Sequence, residues 1–314
     1  MSITERVDAI THMQEQHRIP APPCPKSVKI ELTARCNLQC SFCATASNLR
    51  DKSDMDWEFY SQKLLPELRA AGVEEVGMFF LGESSILPWL DEAIAEAKRQ
   101  GFPYVFLTTN GTALNYEKIE SYLAAGLDSL KFSLNYADAE QFAEITRVKP
   151  ALFQRLLMSI REAKEIRDGG DYTCGLYASY IDYDADQGRR MRALVDKVAP
   201  YLDEVYALPL YSQADLTGAD SSDKGWAVRA GNPGRAGNMQ EPVPCWSLFT
   251  EARVTHDGRL AACCFDHDGR FDMGNLLDEN FMGAWHSDKF QRLRTEHLKG
   301  DVRGTACEHC VAYA

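Results

Sequence analysis

The feature that most constrains this chain is an alternation. Short apolar, β-branched runs lie at 27–32 (SVKIEL), 75–81 (EVGMFFL), 103–109, 129–134 (SLKFSL), 173–181 and 204–210. Between them, residues 57–71, 87–100, 116–125, 151–168 and 187–198 have helical period. Strands that alternate with helices pack as a parallel sheet built from right-handed crossovers. Six such units fall short of an eight-unit barrel, so the pattern predicts an α/β fold, a partial (β/α)6 TIM-like barrel over 27–211. Chemistry on such sheets gathers in loops at the C-terminal strand ends.

Around this core, residues 1–26 read as a leading helix and a Pro-rich connector, PAPPCPK. Residues 212–244 are rich in Gly, Ser, Asp and Asn and read as a linker or substrate-covering loop. Residues 245–314 form a small β-hairpin/helix unit. Its hairpin spans 254–275, with a turn at Asp257–Gly258 and a second at Gly274–Asn275.

A net charge of −12 argues against broad binding to nucleic acid or an anionic membrane. The chain lacks an apolar run long enough to span a bilayer, and its polar start is unlike a secretory signal. A cytoplasmic protein is expected, where thiols stay reduced, so the ten cysteines point to metal or cluster ligation rather than disulfides.

Cys36, Cys40 and Cys43 sit in one loop after the first strand, at spacings of four and three. Thiolates hold iron–sulfur clusters, normally four per cubane, so three leave one iron open to a small molecule. A zinc site completed by a distant residue is the alternative. With Phe42 before the last cysteine and the βα context, this loop resembles that of the radical S-adenosylmethionine (SAM) superfamily. The resemblance implies a 4Fe–4S cluster whose open iron binds SAM. One electron then cleaves SAM to a 5′-deoxyadenosyl radical that removes a substrate hydrogen, with an external one-electron reductant of flavodoxin or ferredoxin type. It also implies that Gly82, Glu83 and Ser84 receive the SAM amino group, although Leu81 replaces the family's first Gly. Ser133 and Asn135 would contact the ribose and carboxylate, and Thr109 and Asn110 would line the same pocket.

Beyond the barrel, Gly258 is followed after four residues by Cys263, and Cys307 and Cys310 form a close pair. This resembles the SPASM/twitch extension of radical SAM enzymes. The resemblance implies one auxiliary 4Fe–4S cluster on Cys245, Cys263, Cys307 and Cys310, with Cys264 spare. A zinc ribbon is the competing interpretation.

The motifs fix the radical step but not its outcome. Epimerisation of a carbon centre in an aminoglycoside, sugar-like or peptide substrate needs a hydrogen donor, and an extended strand would turn Cys264 away from Cys263, toward the active site. Burial as a small hydrophobe is its bland role, as expected for Cys174, while Cys24 lies in the connector. Dehydrogenation of an aminocyclitol-type alcohol needs a base, for which Glu83, His256, Asp266 and His267 are candidates. Peptide cross-linking and a non-enzymatic electron carrier or zinc scaffold are the remaining alternatives. The short N-terminal segment favours a small or sugar-like substrate, and the acidic balance a cationic one.

Overall fold

The computed structural model describes residues 2–182, 185–210, 213, 216, 232–233, 239–240, 243–308 and 310. The expected strands form a parallel run: β1 (Ser27–Ile30), β2 (Glu75–Gly77), β3 (Tyr104–Thr109), β4 (Ser129–Ser133), β5 (Gly175–Asp182) and β6 (Glu204–Pro209). Its connections carry α2 (Leu65–Ala71), α3 (Leu90–Arg99), α4 (Tyr116–Ala124), α5 (Ala139–Thr146), α6 (Ala151–Gly169) and α7 (Ala185–Val198). The helical stretch before β2 is not uniform. A wide-turn segment, Phe59–Leu64, hands over to α2 with Pro66 in its first turn. Proline lacks the N–H that a regular turn needs, and the wider turn absorbs the mismatch.

Strand alternation divides the labour. On β4, Leu130 and Phe132 are fully buried in the core, as is Leu134 just after it, whereas Lys131 and Ser133 face the barrel lumen. At the N-terminal strand ends, α1 (Ile3–Thr11) closes the lumen; Ser2 and Glu5 form its capping box. Arg6 Nη1 lies 2.5 Å from Glu75 Oε1, with its guanidinium over the Tyr104 ring. The backbone N–H of Ile3 donates to Glu204 Oε2 at 2.9 Å.

The sheet does not stop at the barrel. Two short strands, β7 (Asn232–Pro233) and β8 (Met239–Gln240), pair with each other. Then β9 (Glu251–Val254) pairs parallel with the free edge of β1, from Ser27↔Glu251 to Ile30↔Val254. β10 (Arg259–Ala261) and β11 (Asp272–Asn275) follow antiparallel, giving a nine-stranded sheet in the order β11-β10-β9-β1-β2-β3-β4-β5-β6. The C-terminal unit is thus continuous with the barrel, and α8 (Phe281–Trp285) and α9 (Asp288–Lys299) pack behind it. Most of the 212–244 segment lies outside the described residues.

Two expectations are corrected here. The turn at Asp257–Gly258 forms, with Gly258 at φ +81, but Gly274–Asn275 lies inside β11. Gly274 serves close packing: a Cβ there would lie 2.6 Å from Glu279 Oε1 and 2.9 Å from Ala284 Cβ, where α8 crosses the strand. Nor is the 263–264 stretch extended, because β10 ends at Ala261 and the chain turns.

The β1–β9 seam is held by a buried charge cluster. Lys29 Nζ is 2.8 Å from Glu251 Oε1, and Arg253 pairs with Glu251 Oε2. Arg253 also donates to the Ser247 and Ala262 carbonyls at 3.2 and 3.5 Å. Glu251→Ala leaves two cations facing each other in the interior. The expected cost is about 3–5 kcal/mol, seen as a lower denaturant midpoint; a midpoint equal to wild type would mean the seam does not depend on this carboxylate.

Candidate active site at the mouth of the barrel

The three-cysteine loop is fixed from several sides. Thr33 Oγ1 donates to Asp54 Oδ1 at 2.6 Å, and Arg35 Nε to the same oxygen at 2.9 Å, closing the loop's base. Its middle is strapped to the end of α5 by Gln39 N–H to Thr146 O, 3.0 Å, and Ser41 N–H to Ile145 O, 2.9 Å. Cys40 Sγ stands 3.7 Å from the Tyr136 hydroxyl. Burial, then nearby Glu83, pushes the Cys36 thiol up to about 12; burial, then Cys43, raises Cys40. Buried thiols that resist ionising beside one another suit a site where iron supplies the countercharge.

Gly82 packs against this loop. A Cβ there would sit 2.0 Å from the Thr33 carbonyl oxygen and 2.8 Å from that of Arg35. Glu83 N–H donates to Arg35 O at 2.9 Å. The Glu83 carboxylate turns inward and accepts from Ser85 N–H and Oγ, Thr109 Oγ1 and Asn110 N–H, all within 3.1 Å. Asn110 Nδ2 in turn donates to Asn37 Oδ1 at 2.9 Å. Glu83, Ser84, Thr109 and Asn110, all buried, thus form with Gly82 a scaffold beneath the loop.

Ser133 and Asn135 instead line a cavity of about 290 Å³, together with Cys43, Lys131, Cys264 and His267. Cys43 enters it from the barrel loop and Cys264 from the turn after β10. Cys264 nevertheless keeps a hydrogen bond to the Cys263 thiol, which, ahead of burial, raises Cys263. Burial, then Cys245 and Cys310, raises Cys307, so the distal cysteines influence one another across a shared space. Among the described residues, no three His, Cys, Asp or Glu groups are already gathered as ligands of a single ion. Both sets consist of thiols, the donors that suit iron–sulfur clusters.

Of the four candidate bases, only His267 reaches this cavity. Glu83 is engaged as described. His256 Nδ1 is 3.1 Å from Glu31, whose carboxylate also takes Arg50 Nη2 at 2.7 Å. Asp266, raised to about 6 by burial, accepts the Phe271 N–H at 3.1 Å. Burial, then Arg50, holds His267 down to about 4. Thr45 Oγ1 donates to Leu81 O at 3.0 Å and lies 3.1 Å from His267 Nδ1.

Lys131, Thr108 and Ser179 also line the cavity without having been singled out from the sequence. The signal was present: in SLKFSL the polar residues occupy every second position, which on a helix-covered strand marks the lumen face.

Gly82→Ala pushes a methyl group into the backbone of the cysteine loop. Iron in the reconstituted protein should fall from about eight per chain toward about four, with loss of SAM binding and little change in the distal cluster. Unchanged iron and SAM binding would show that the loop does not need this contact.

Comparison with known proteins agrees with this architecture. Residues 30–178 match the model of the radical SAM superfamily, and 245–311 that of SPASM, an iron–sulfur cluster-binding domain. GTP 3',8-cyclase 2 of Mycobacterium bovis is 35% identical over 310 aligned positions, covering 83% of this chain and 81% of that protein. GTP 3',8-cyclase of Chlorobaculum tepidum is 33% identical over 121 residues, 38% of this chain and 36% of that protein, so this chain spans about a third of its length. A tungsten-containing aldehyde ferredoxin oxidoreductase cofactor-modifying protein of Pyrococcus furiosus is 29% identical over 119 residues, 37% of this chain and 32% of its own. Among solved structures, BtrN in complex with AdoMet and 2-DOIA shares the fold with TM-score 0.58 at 16% identity, over 91% of this chain and 92% of BtrN. Streptococcus suis SuiB bound to precursor peptide SuiA gives 0.67 at 13% identity, over 98% and 73%. The two domains imply a 4Fe–4S cluster with SAM in the barrel and further iron–sulfur in the C-terminal domain. No helix among the described residues is long and apolar enough to cross a membrane. The chain belongs to the radical SAM superfamily and is a radical SAM enzyme with a C-terminal SPASM domain.

Proposed function

We propose that this enzyme epimerises a carbon centre in a sugar-like or peptide substrate, with Cys264 as the hydrogen donor. In this reading Cys36, Cys40 and Cys43 hold the SAM-binding cluster, and Cys245, Cys263, Cys307 and Cys310 hold an auxiliary one. When bound, the first cluster and SAM supply the carbon radical that takes the substrate hydrogen. Ser133 and Asn135 orient SAM at the strand ends. The Gly82–Asn110 scaffold keeps the cysteine loop rigid beneath it.

The observation that carries the reading is that Cys264 and Cys43 line one cavity from two different segments. A substrate carbon between them loses its hydrogen toward the Cys43 side. It then gains a hydrogen atom from the Cys264 thiol on the other face, because an S–H bond is weaker than the C–H bond formed. The thiyl left on Cys264 returns to thiol by taking one electron and one proton. The hydrogen bond to Cys263, a proposed auxiliary ligand, supports an electron path from an external one-electron reductant.

Dehydrogenation of an alcohol is the second reading, favoured by the same proximity, since the auxiliary cluster would accept the substrate electron. It requires a base, and His267, held near 4, is a weak one at neutral pH. The relatives named GTP 3',8-cyclase extend the radical step to ring closure, but the thiol in the cavity fits hydrogen return better.

In deuterated water, wild-type turnover should place one solvent deuterium in the product. Cys264→Ala should keep SAM cleavage but lose the epimer and the deuterium. A fully active Cys264→Ala enzyme would remove this thiol from the mechanism, and an oxidised product without deuterium from wild type would favour dehydrogenation.

A further inference from the structure

We infer that Lys131 anchors an oxyanion of the substrate, a carboxylate or phosphate, at the floor of the cavity; this rests on the reading of that cavity as the substrate chamber. Among the described residues its lining contains a single permanently charged side chain, Lys131, and no carboxylate. Among the described residues the Lys131 ammonium meets one hydrogen-bond partner, the Tyr206 hydroxyl at 3.1 Å, and it lies 5.5 Å from that ring's centroid. Three neighbouring described cations are matched: Arg6 by Glu75, and Lys29 and Arg253 of the β1–β9 seam by Glu251. An ammonium has three donors, and two of those on Lys131 are left for a ligand.

Depth separates this anchor from the SAM layer. Lys131 precedes Ser133 by two residues on β4, which places it about 7 Å deeper along the strand. Its register partner across the sheet is Thr108, and Ser133 pairs with Ser179. These hydroxyls lie on the same face and line the same cavity, adding neutral donors around the ammonium. A substrate held by an oxyanion at this floor extends upward, toward the level where Cys43 and Cys264 enter.

The charge pattern therefore reverses the expectation drawn from composition. The chain carries −12, which suits a cationic substrate only if the acids face it. Within the described lining they do not. A polycationic aminoglycoside would place ammonium groups beside Lys131, and the carboxylates of the adjoining cavity beneath it, Glu75 and Glu251, are already engaged by Arg6, Lys29 and Arg253. An acidic sugar or an acidic peptide segment neutralises the half-buried charge instead.

The test uses SAM-loaded enzyme with both clusters reconstituted, under anaerobic calorimetry, with inorganic phosphate and acetate as separate probes. Wild type should bind at least one probe, more weakly as salt rises; preference for phosphate or for acetate tells a phosphate ester from a carboxylate. Lys131→Met should weaken that binding about tenfold or more, as loss of a charge-assisted bond predicts, and Lys131→Arg should restore most of it. SAM affinity and the visible cluster spectrum should stay at wild-type levels in both variants. No binding by wild type, or equal binding by Lys131→Met, overturns the proposal. A Lys131→Met enzyme with weakened SAM affinity also overturns it, because the ammonium then serves the SAM carboxylate. Binding is read without turnover, so failure of the Cys264 mechanism leaves this outcome untouched.

Discussion

β1 is hydrogen-bonded along both edges, to β2 on one side and β9 on the other. An open parallel sheet ordinarily leaves its first strand exposed, a liability for pairing with other chains. Here the C-terminal unit covers that edge, and the buried Lys29–Glu251–Arg253 cluster holds it there. Buried ion pairs are seldom a net gain over apolar packing. They do, however, penalise any register in which a partner is lost, and this cluster joins one residue of β1 to two of β9. Arg253 also reaches the Ala262 carbonyl, fixing the chain just before Cys263 and Cys264. The position of the distal cysteines relative to the barrel loop thus follows from one strand pairing.

A second set of polar contacts joins the same two regions beside the tail of the cysteine loop. Arg50, in the tail of the cysteine loop, pairs with Glu31, which also receives the backbone N–H of His256 at 3.1 Å. Burial works against the Glu31 charge, but the hydrogen bonds from His256 and Arg50 outweigh it and keep its carboxyl below the usual range. Thr45 links the loop to the Leu81 carbonyl and to His267. His256, a plausible base from its residue type, therefore belongs to the connection between domains. Residue type does not reveal such engagement, since the partners lie more than two hundred positions away in the chain.

The barrel strands were legible because each is a short apolar run set off by helical periodicity, and the two cysteine sets drew notice by their spacing together with the family resemblance that it carries. α5 was not, since Ala139–Thr146 is too short for its period to stand out between β4 and the long α6. The pairing of β9 with β1 was not legible either, because it joins residues more than two hundred apart and no local pattern encodes a partner strand. Gly274 misled for a physical reason: a glycine beside an asparagine usually marks a turn, but here the missing side chain admits α8. The motif at 82–84 was read as contacting SAM; its Glu83 carboxylate accepts from Ser85 and from Thr109 and Asn110 at the end of β3.

The same strands build the core and the chemistry, with little conflict between them. Leu107, Leu130, Leu176 and Ala178 are fully buried and belong to the hydrophobic core, where volume decides fit. Their neighbours Thr108, Lys131 and Ser179 face the lumen, where a change of residue alters what the cavity accepts without opening a hole in that core. Helix packing fixes the backbone, and the backbone fixes the height of each lumen side chain to within one strand residue, about 3.3 Å. Specificity in such a barrel can therefore change one lumen position at a time while the cysteine loop and its scaffold stay constant. This is why the cluster chemistry is readable from the motif, whereas the substrate has to be sought in the alternate residues of β3 to β6.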